Sequence, residues 1–454
     1  MISILKTDAY KLHHREQYPK GTEVVYANLS VRNINLFEKQ YGTTDFVVVP
    51  HIKLIINKLI KEWDDNFFKL SWYKVKKELE NFNNYSTIDI MKNLKAYKEL
   101  HKFGKLPLEF NYLSAYSRIV KNTPLLIYWN YDNRFFWLVN YIETWLSSES
   151  WAYITSTNIS YKLHKLAIKY SSLTCDNYNH INTQFHDFSQ RGINTTSGAI
   201  MTGMGHLHYF TGTDNLPAIL EFGSFLNNNN SNRPYKIGTS IPATEHSVMC
   251  AGGKEKEFET YNRLLSLYPK GNISIVSDTW DIYNVCDNIL PKLKNKILKR
   301  KGKLIIRPDS GDPVDITIKV IQSLESHFGS TINNKGFKLL NDKIGVVYGD
   351  SITYEIANLI FEKLKKLGYA SSNITLGVGS YTYQYNTRDT LGIVVKTTAV
   401  RVNGEWRQIQ KSPITDQNKK SLTGFISWIK GGIGGHYVAV DKQNTINTGG
   451  EFYV

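Results

Sequence analysis

The sequence predicts an α/β fold in which short buried strands alternate with amphipathic helices, as a (β/α) barrel or a parallel sheet. Three observations carry this. The stretch Lys303–Pro313, KLIIRPDSGDP, runs from the wholly apolar Leu304, Ile305 and Ile306 into Arg307, Pro308, Asp309, Ser310 and Gly311. That is the pattern of a strand buried on both faces and ending in a polar loop. The pattern recurs, in NISIVSD at 272–278 closing on Asp278, in IGVVYGD at 344–350 closing on Gly349 and Asp350, and in ITLGVGS at 374–380 closing on Gly379 and Ser380. Between these strands the apolar spacing turns helical, with Ile318, Ile321, Leu324 and Phe328 in one interval and Ile356, Leu359, Ile360, Leu364 and Leu367 in the next, stopped by Gly368.

A fold of this kind carries its chemistry at the carboxyl ends of the strands. A structural turn after Ile306 needs only the Pro and the Gly. Arg307 and Asp309 are therefore either a local salt bridge or part of a site, and the repetition favours a site. Three loops supply carboxylates, which suit ribose hydroxyls or Mg²⁺, and the fourth supplies glycine amides, which suit a phosphate. Together they predict a sugar-phosphate site.

With 454 residues, of which 13% are aromatic, the chain is globular and long enough for two or three domains. Its apolar runs fall short of the roughly 18 residues that a membrane span requires. Met1–Tyr10 carries Lys6 and Asp8 where a signal peptide would be apolar, so neither membrane nor export is expected. Cys175, Cys250 and Cys286 are too widely separated for a zinc site or a disulfide framework, which points to a reducing cytoplasm. A net charge of +15 suits either nucleic acid or a polyphosphate substrate. The lysines are scattered and no helix-turn-helix, zinc finger or RNA-binding signature is present, so nucleic acid is not an expected partner. The P-loop and GxGxxG patterns are absent as well.

In chain order, TDAYKLHHREQYP at 7–19 is dense in polar aromatics, and Asp8 there suits a helix cap. Its adjacent histidines point different ways and make a poor metal pair. Val24–Val31 and Phe46–Val49 read as strands. From Ile52 to about Lys105 the pattern is helical and lysine-rich, a solvated structural layer. Residues 136–170 continue as helix, with Trp137, Trp145 and Trp151 assigned to the core. HDFSQRG at 186–192 groups a His, an Asp, an aromatic and an Arg, and TGTD at 211–214 sets Asp214 on a glycine turn. The Asn227–Asn230 run is a low-complexity surface loop. SIPATEH at 240–246 places Glu245 directly before His246 on a Pro-containing loop. Beyond Arg388 the cations Arg388, Lys396, Arg401, Arg407, Lys411, Lys419 and Lys420 form a basic surface or a set of phosphate clamps.

Taken together, TDAYKLHHREQYP, HDFSQRG, GTD, SIPATEHS, SIVSDTWDIYN, LIIRPDSGDP, YGDS and SPITDQNKKS resemble the type II phosphoribosyltransferases, and among them the nicotinamide phosphoribosyltransferase family. The match runs in order along the chain. It implies an irregular (β/α) barrel over 151–390 and a second, discontinuous α/β domain built from 1–150 and 391–454. It also implies transfer of the phosphoribosyl group of phosphoribosyl pyrophosphate to nicotinamide, with pyrophosphate released. ATP would be a co-substrate through a phosphohistidine, and Mg²⁺ would ride on the pyrophosphate. The alternatives are a nicotinate phosphoribosyltransferase, or a catalytically weakened nucleotide-binding homologue.

The resemblance assigns roles residue by residue. Phe188 stacks on nicotinamide opposite Tyr10 of a partner subunit, Asp214 accepts from the carboxamide, and Asp8 and Arg307 lie near the base. Arg191, Ser274, Gly349, Asp350, Gly379 and Ser380 meet the ribose and phosphates. Asp278 and Asp309 are centre acids on the metal side, and His246 takes the phosphoryl group with Glu245 orienting it. Arg32, Arg388, Lys396, Lys411 and Lys419 are clamps from the other subunit of a homodimer. The family's glycine-rich phosphate loop reads GVGSY here, with Ser380 and Tyr381 in place of glycine, and Val394 stands where a hydroxyl often sits. The chain also stops at Val454, where the resemblance implies another strand and helix.

Overall fold

Parallel strands organise the unit from Ser156 to Asn386. This is a computed structural model, and it describes residues 1–229, 236–411, 422–431 and 436–441. Phe185–Asp187, Ile374–Val378, Ile344–Tyr348, Leu304–Arg307 and Ile273–Val276 lie side by side in that order, and every pairing is parallel. The register sets Ile306 against Val346 and Ile275, and Leu376 against Phe185, so the apolar run of each strand meets that of its neighbour. Parallel order also brings every polar strand end to one edge of the sheet.

The helices between the strands follow the apolar spacing. Pro313–Phe328 is started by the Asp312 carboxylate, which accepts from the amides of Val314 and Asp315, and it buries Ile318, Ile321, Leu324 and Phe328. Tyr354–Lys366 is capped by the Thr353 hydroxyl and buries Ala357, Ile360, Phe361 and Leu364. Leu359 and Leu367, expected on that face, are exposed instead. The helix presents the 357/360/361/364 stripe, and a leucine one position before Ile360 turns about 100° away from it.

The five strands form an open sheet, not the closed ring expected of a barrel. Among the described residues its outer strands are joined by single parallel bridges, Asp187 to Thr213, Gly212 to Thr239 and Ala243 to Ser274. Each bridge is made by a pair of backbone hydrogen bonds, such as the Asp187 amide to the Gly212 carbonyl and the Asp214 amide to the Asp187 carbonyl, both 3.0 Å.

The other unit comprises Met1–Thr155 and Thr387–Val454. Its main sheet is antiparallel, ordered Glu405–Gln408, Ile393–Val402, Thr22–Val31, Pro124–Asn130 and Leu108–Tyr112. N-terminal and C-terminal segments pair directly, with Asn28 opposite Lys396. Tyr26, Ile127, Ala399, Phe425 and Ile426 make one core cluster. The Ile52–Trp63 helix buries Ile52, Ile55, Ile56, Leu59 and Trp63, and the helices Trp72–Tyr85 and Leu94–Phe103 follow it. Among the described residues no helix is long and apolar enough to cross a membrane.

Candidate active site

The polar strand ends of the parallel sheet surround a cavity of about 740 Å³. Phe188, Arg191, Asp214, Glu245, Arg307, Asp309 and Gly349 all line it, together with Asp187 and Thr244. Each arrives there for a local reason. Asp187 ends its strand wholly buried, and its carboxylate accepts from the Ser189 amide at 2.8 Å and the Thr213 hydroxyl at 3.3 Å. Phe188 follows, with its amide bonded to the Val378 carbonyl at 2.8 Å. Its ring lies over two glycines: a Cβ on Gly349 would stand 3.5 Å from it, and one on Gly377 only 2.5 Å.

Asp214 accepts at one oxygen, Oδ1, from both His186 Nε2 at 3.0 Å and the Ser240 hydroxyl. Burial works against its charge. The hydrogen bonds from His186 and Ser240, and the charges of His186 and Arg307, outweigh burial and hold the pKa below the ordinary carboxylate value. Asp214 is thus a persistent anion in a cavity that also holds two guanidinium groups. Arg307 is pinned by its Nη2 donating to the Thr244 carbonyl at 2.8 Å.

At the next strand end the acids gather. Asp278 Oδ2 accepts from the Asp309 amide at 2.9 Å and from the Ser310 hydroxyl at 2.5 Å. Its other oxygen, Oδ1, is buried and has no hydrogen-bond partner among the described residues. His246 Nε2 lies 4.0 Å from that oxygen and 3.7 Å from Asp309 Oδ2. Burial pushes the Tyr348 hydroxyl pKa up, and Asp350, Asp309 and Asp278 push it further, which marks how much negative charge converges here. Asp350 itself accepts from Ser351 Oγ at 3.0 Å.

Glu245 does not orient His246. Its carboxylate accepts from the Ser247 hydroxyl, while His246 Nδ1 lies 3.1 Å from Thr279 Oγ1. Consecutive residues at the start of the His246–Cys250 helix diverge, so the residue in contact comes from another strand end. Ser274 lies inside its strand with Oγ buried and unpartnered, and does not line the cavity. Gly379 and Ser380 do not line it either; Ser380 packs where a Cβ on Gly192 would come within 2.9 Å, and Tyr381 stacks on Tyr385 at 4.9 Å.

The remaining residues with expected roles belong to the other unit. Asp8 precedes a short 3-10 turn without capping it, since its carboxylate accepts from Thr144 Oγ1 at 2.6 Å. Tyr10 is 59% exposed, and its ring meets the edge of His14. Arg32 and Lys396 line one small cleft with Asn28 and Ser30. Burial lowers the Lys396 pKa, Glu143 opposes this, and the charges of Arg32, Lys11 and Lys411 lower it further, so four cations share one field. Arg388 pairs with Asp389 at 3.3 Å. Lys419 and the SPITDQNKKS stretch around it lie outside the described residues.

Comparison with known proteins places the chain in one family. The family model described as nicotinate phosphoribosyltransferase (NAPRTase) matches residues 183–446, which include every strand end of the cavity. The chain belongs to this family. Within it, the chain is 39% identical over 441 residues to the nicotinamide phosphoribosyltransferase of Acinetobacter baylyi, covering 92% of this chain and 86% of that one. It is 37% identical to the nicotinamide phosphoribosyltransferase of Mycoplasma genitalium, covering 93% and 94%. Among solved structures, nicotinate-nucleotide pyrophosphorylase from Pyrococcus furiosus superposes with a TM-score of 0.57 at 13% identity, over 97% of this chain and 83% of that one. Human nicotinic acid phosphoribosyltransferase does so with a TM-score of 0.52 at 13% identity, over 89% and 77%. Those structural likenesses speak to the fold alone.

Several residues that shape this family site had not been singled out from the sequence. Thr279, Ser240 and Thr244 are hydroxyl residues near recognised acids and carried no signal of their own. Gly377 did carry one, since a glycine inside a strand marks close approach of another group.

Proposed function

We propose that the chain transfers the phosphoribosyl group of 5-phosphoribosyl 1-pyrophosphate to nicotinamide, giving nicotinamide mononucleotide and pyrophosphate in NAD salvage. The observation that carries this is Asp214 held as an anion on the wall that also presents the Phe188 ring. A flat apolar face suits a pyridine ring, and an anionic acceptor suits a carboxamide NH₂ and repels the carboxylate of nicotinate. The printed names of the sequence relatives support the same reading.

The pyridine nitrogen needs no base, because its lone pair is free. That pair forms the bond to C1 while the C1–oxygen pair leaves with pyrophosphate through an oxocarbenium-like state. Catalysis is then positioning and charge stabilisation. Asp278, Asp309 and Asp350 favour the cationic sugar, and Arg191 and Arg307 favour the anionic groups. An Mg²⁺ carried by substrate phosphates needs only one or two protein carboxylates. The unpartnered Oδ1 of Asp278, with Asp309, suits that role. Bound there, Mg²⁺ would neutralise the leaving pyrophosphate.

In this reading ATP is a co-substrate and His246 its phosphoryl acceptor. With the proton on Nδ1 facing Thr279 Oγ1, the lone pair of Nε2 faces outward beside Asp309. Nε2 bonds to the γ-phosphorus, ADP departs, and water later releases phosphate. The reading further takes the protein as a cytoplasmic homodimer with shared sites, in which the single bridges between the outer strands complete an irregular barrel. Three free cysteines suit a reducing compartment, and the Arg32–Lys396 cleft suits phosphate clamps.

The test is incubation of purified protein with phosphoribosyl pyrophosphate, Mg²⁺ and either base, followed by identification of the product. Nicotinamide mononucleotide is expected. Nicotinate mononucleotide as the main product supports the nicotinate enzyme, and no mononucleotide from either base supports a binding homologue.

A further inference from the structure

We infer that His186 is the positioning residue behind base selectivity, holding Asp214 so that one carboxylate oxygen remains open to the base. This rests on the nicotinamide reading above. His186 Nε2 and the Ser240 hydroxyl both converge on Oδ1 of Asp214. Oδ2 accepts no hydrogen bond from any described residue, and the Asp214 side chain is 45% exposed. One oxygen is anchored and the other is presented.

The anchor is itself fixed from three sides. The main chain of His186 pairs with Gly377 in the parallel sheet. Its ring lies against Phe188 with centroids 4.6 Å apart, so one imidazole braces both the acceptor and the stacking ring. Residue 212 also approaches it: a Cβ there would stand 3.0 Å from Nδ1, tighter than an ordinary contact, which favours glycine. His186 thus cannot shift without moving either Phe188 or the loop that bears Asp214.

A brace is needed because of Arg307. Its positive charge already acts on Asp214, and both groups line the same cavity. An unrestrained carboxylate beside a guanidinium forms a bidentate pair, which would occupy both oxygens and remove the acceptor. Two donors on Oδ1 compete with that collapse. The carboxamide NH₂ then meets an open anionic oxygen, whereas the carboxylate of nicotinate meets like charge.

The experiment uses the full-length protein with phosphoribosyl pyrophosphate and Mg²⁺. In His186→Leu, KM for nicotinamide is expected to rise about tenfold, the loss of one charge-assisted hydrogen bond, with kcat changed far less. The nicotinamide-over-nicotinate preference should fall in parallel. His186→Gln, whose side-chain amide can donate toward the same oxygen, should recover most of the lost KM. In an Asp214→Asn background His186→Leu should have little further effect, since the brace then has no anion to hold. General loosening of the cavity would instead raise KM equally in both backgrounds, and that result overturns the inference, as does an unchanged KM in the single variant. If His186→Leu does not fold, Ser240→Ala at its exposed position removes the second donor and is read by the same criteria. Wild-type protein that makes no nicotinamide mononucleotide overturns the underlying reading and this inference with it. Wild-type activity with an insensitive His186 overturns only the inference.

Discussion

Gly377 lies directly beneath the ring of Phe188: a Cβ at 377 would come within 2.5 Å of ring atom Cδ2 and 2.8 Å of the Gly349 Cα. The Phe188 ring, which lines the cavity, therefore rests on bare backbone at Gly377 and Gly349, and any side chain at 377 must displace the ring. Gly377→Ala is expected to raise KM for nicotinamide at least tenfold and to destabilise the protein by about 1–3 kcal/mol, the usual cost of overpacking. Steady-state kinetics and urea unfolding measure the two. A variant with unaltered KM would show that the ring does not receive the base.

Base choice should follow Asp214. A site built around one hydrogen bond rejects an analogue lacking it by roughly 10⁴-fold, and like charge adds to that. Wild-type kcat/KM for nicotinamide is expected to exceed that for nicotinate by about this factor, and Asp214→Asn should narrow the gap. Equal wild-type efficiency on the two bases would sink the acceptor role.

His246→Ala should abolish ATP hydrolysis and the ATP-driven gain in mononucleotide yield. ATP-independent synthesis should survive, because Phe188, Asp214 and Arg307 are untouched. Thr279→Val should weaken the ATP effect less severely, since it removes only the group 3.1 Å from Nδ1. Normal ATP-coupled synthesis in His246→Ala would make the histidine structural.

Shared sites predict complementation. Asp309→Ala and Arg388→Ala, each nearly inactive alone, should recover roughly a quarter of wild-type activity when mixed randomly in equal amounts. One site of a mixed dimer carries both lesions and the other carries none. Two affinity tags, purified in tandem, establish that subunits have exchanged. Verified mixed dimers that stay inactive would mean each subunit is self-contained.

Glu257 gives the stability a pH dependence. It is buried, with Oε1 unpartnered, and burial followed by the charge of Asp281 raises its pKa from 4.5 to about 7. The folded chain therefore binds this proton more tightly than the unfolded chain does. Its stabilising contribution is full below about pH 4.5 and is lost as pH rises through about 7. Glu257→Gln should leave stability near pH 5 almost unchanged and raise it at pH 8, by at most about 3 kcal/mol. Denaturant unfolding at the two pH values tests this, and an equal change at both would refute the titration.

The sequence by itself determined the α/β class, the strand runs ending in Arg307–Asp309, Asp278, Gly349 and Gly379, and the helix spacing of 318–328, because these are local patterns of apolar period and turn chemistry. Its polar loops and the family resemblance drew attention to Phe188, Asp214, Arg307 and Asp309, all of which line the cavity. Which groups meet was decided only by the tertiary structure. His246 takes Thr279 as its partner and not the adjacent Glu245, because neighbours in sequence diverge where a helix begins. Ser274 is buried within a strand whose four residues are all buried, so its place before an active loop does not bring it to the cavity. Among the described residues the outer strands are joined by single bridges and not by a continuous sheet, a long-range pairing that the strand runs do not encode. His186 and Gly377 matter only through partners about 28 and 190 residues away along the chain, Asp214 and Phe188. Such pairings are set by parallel register, which no local pattern encodes.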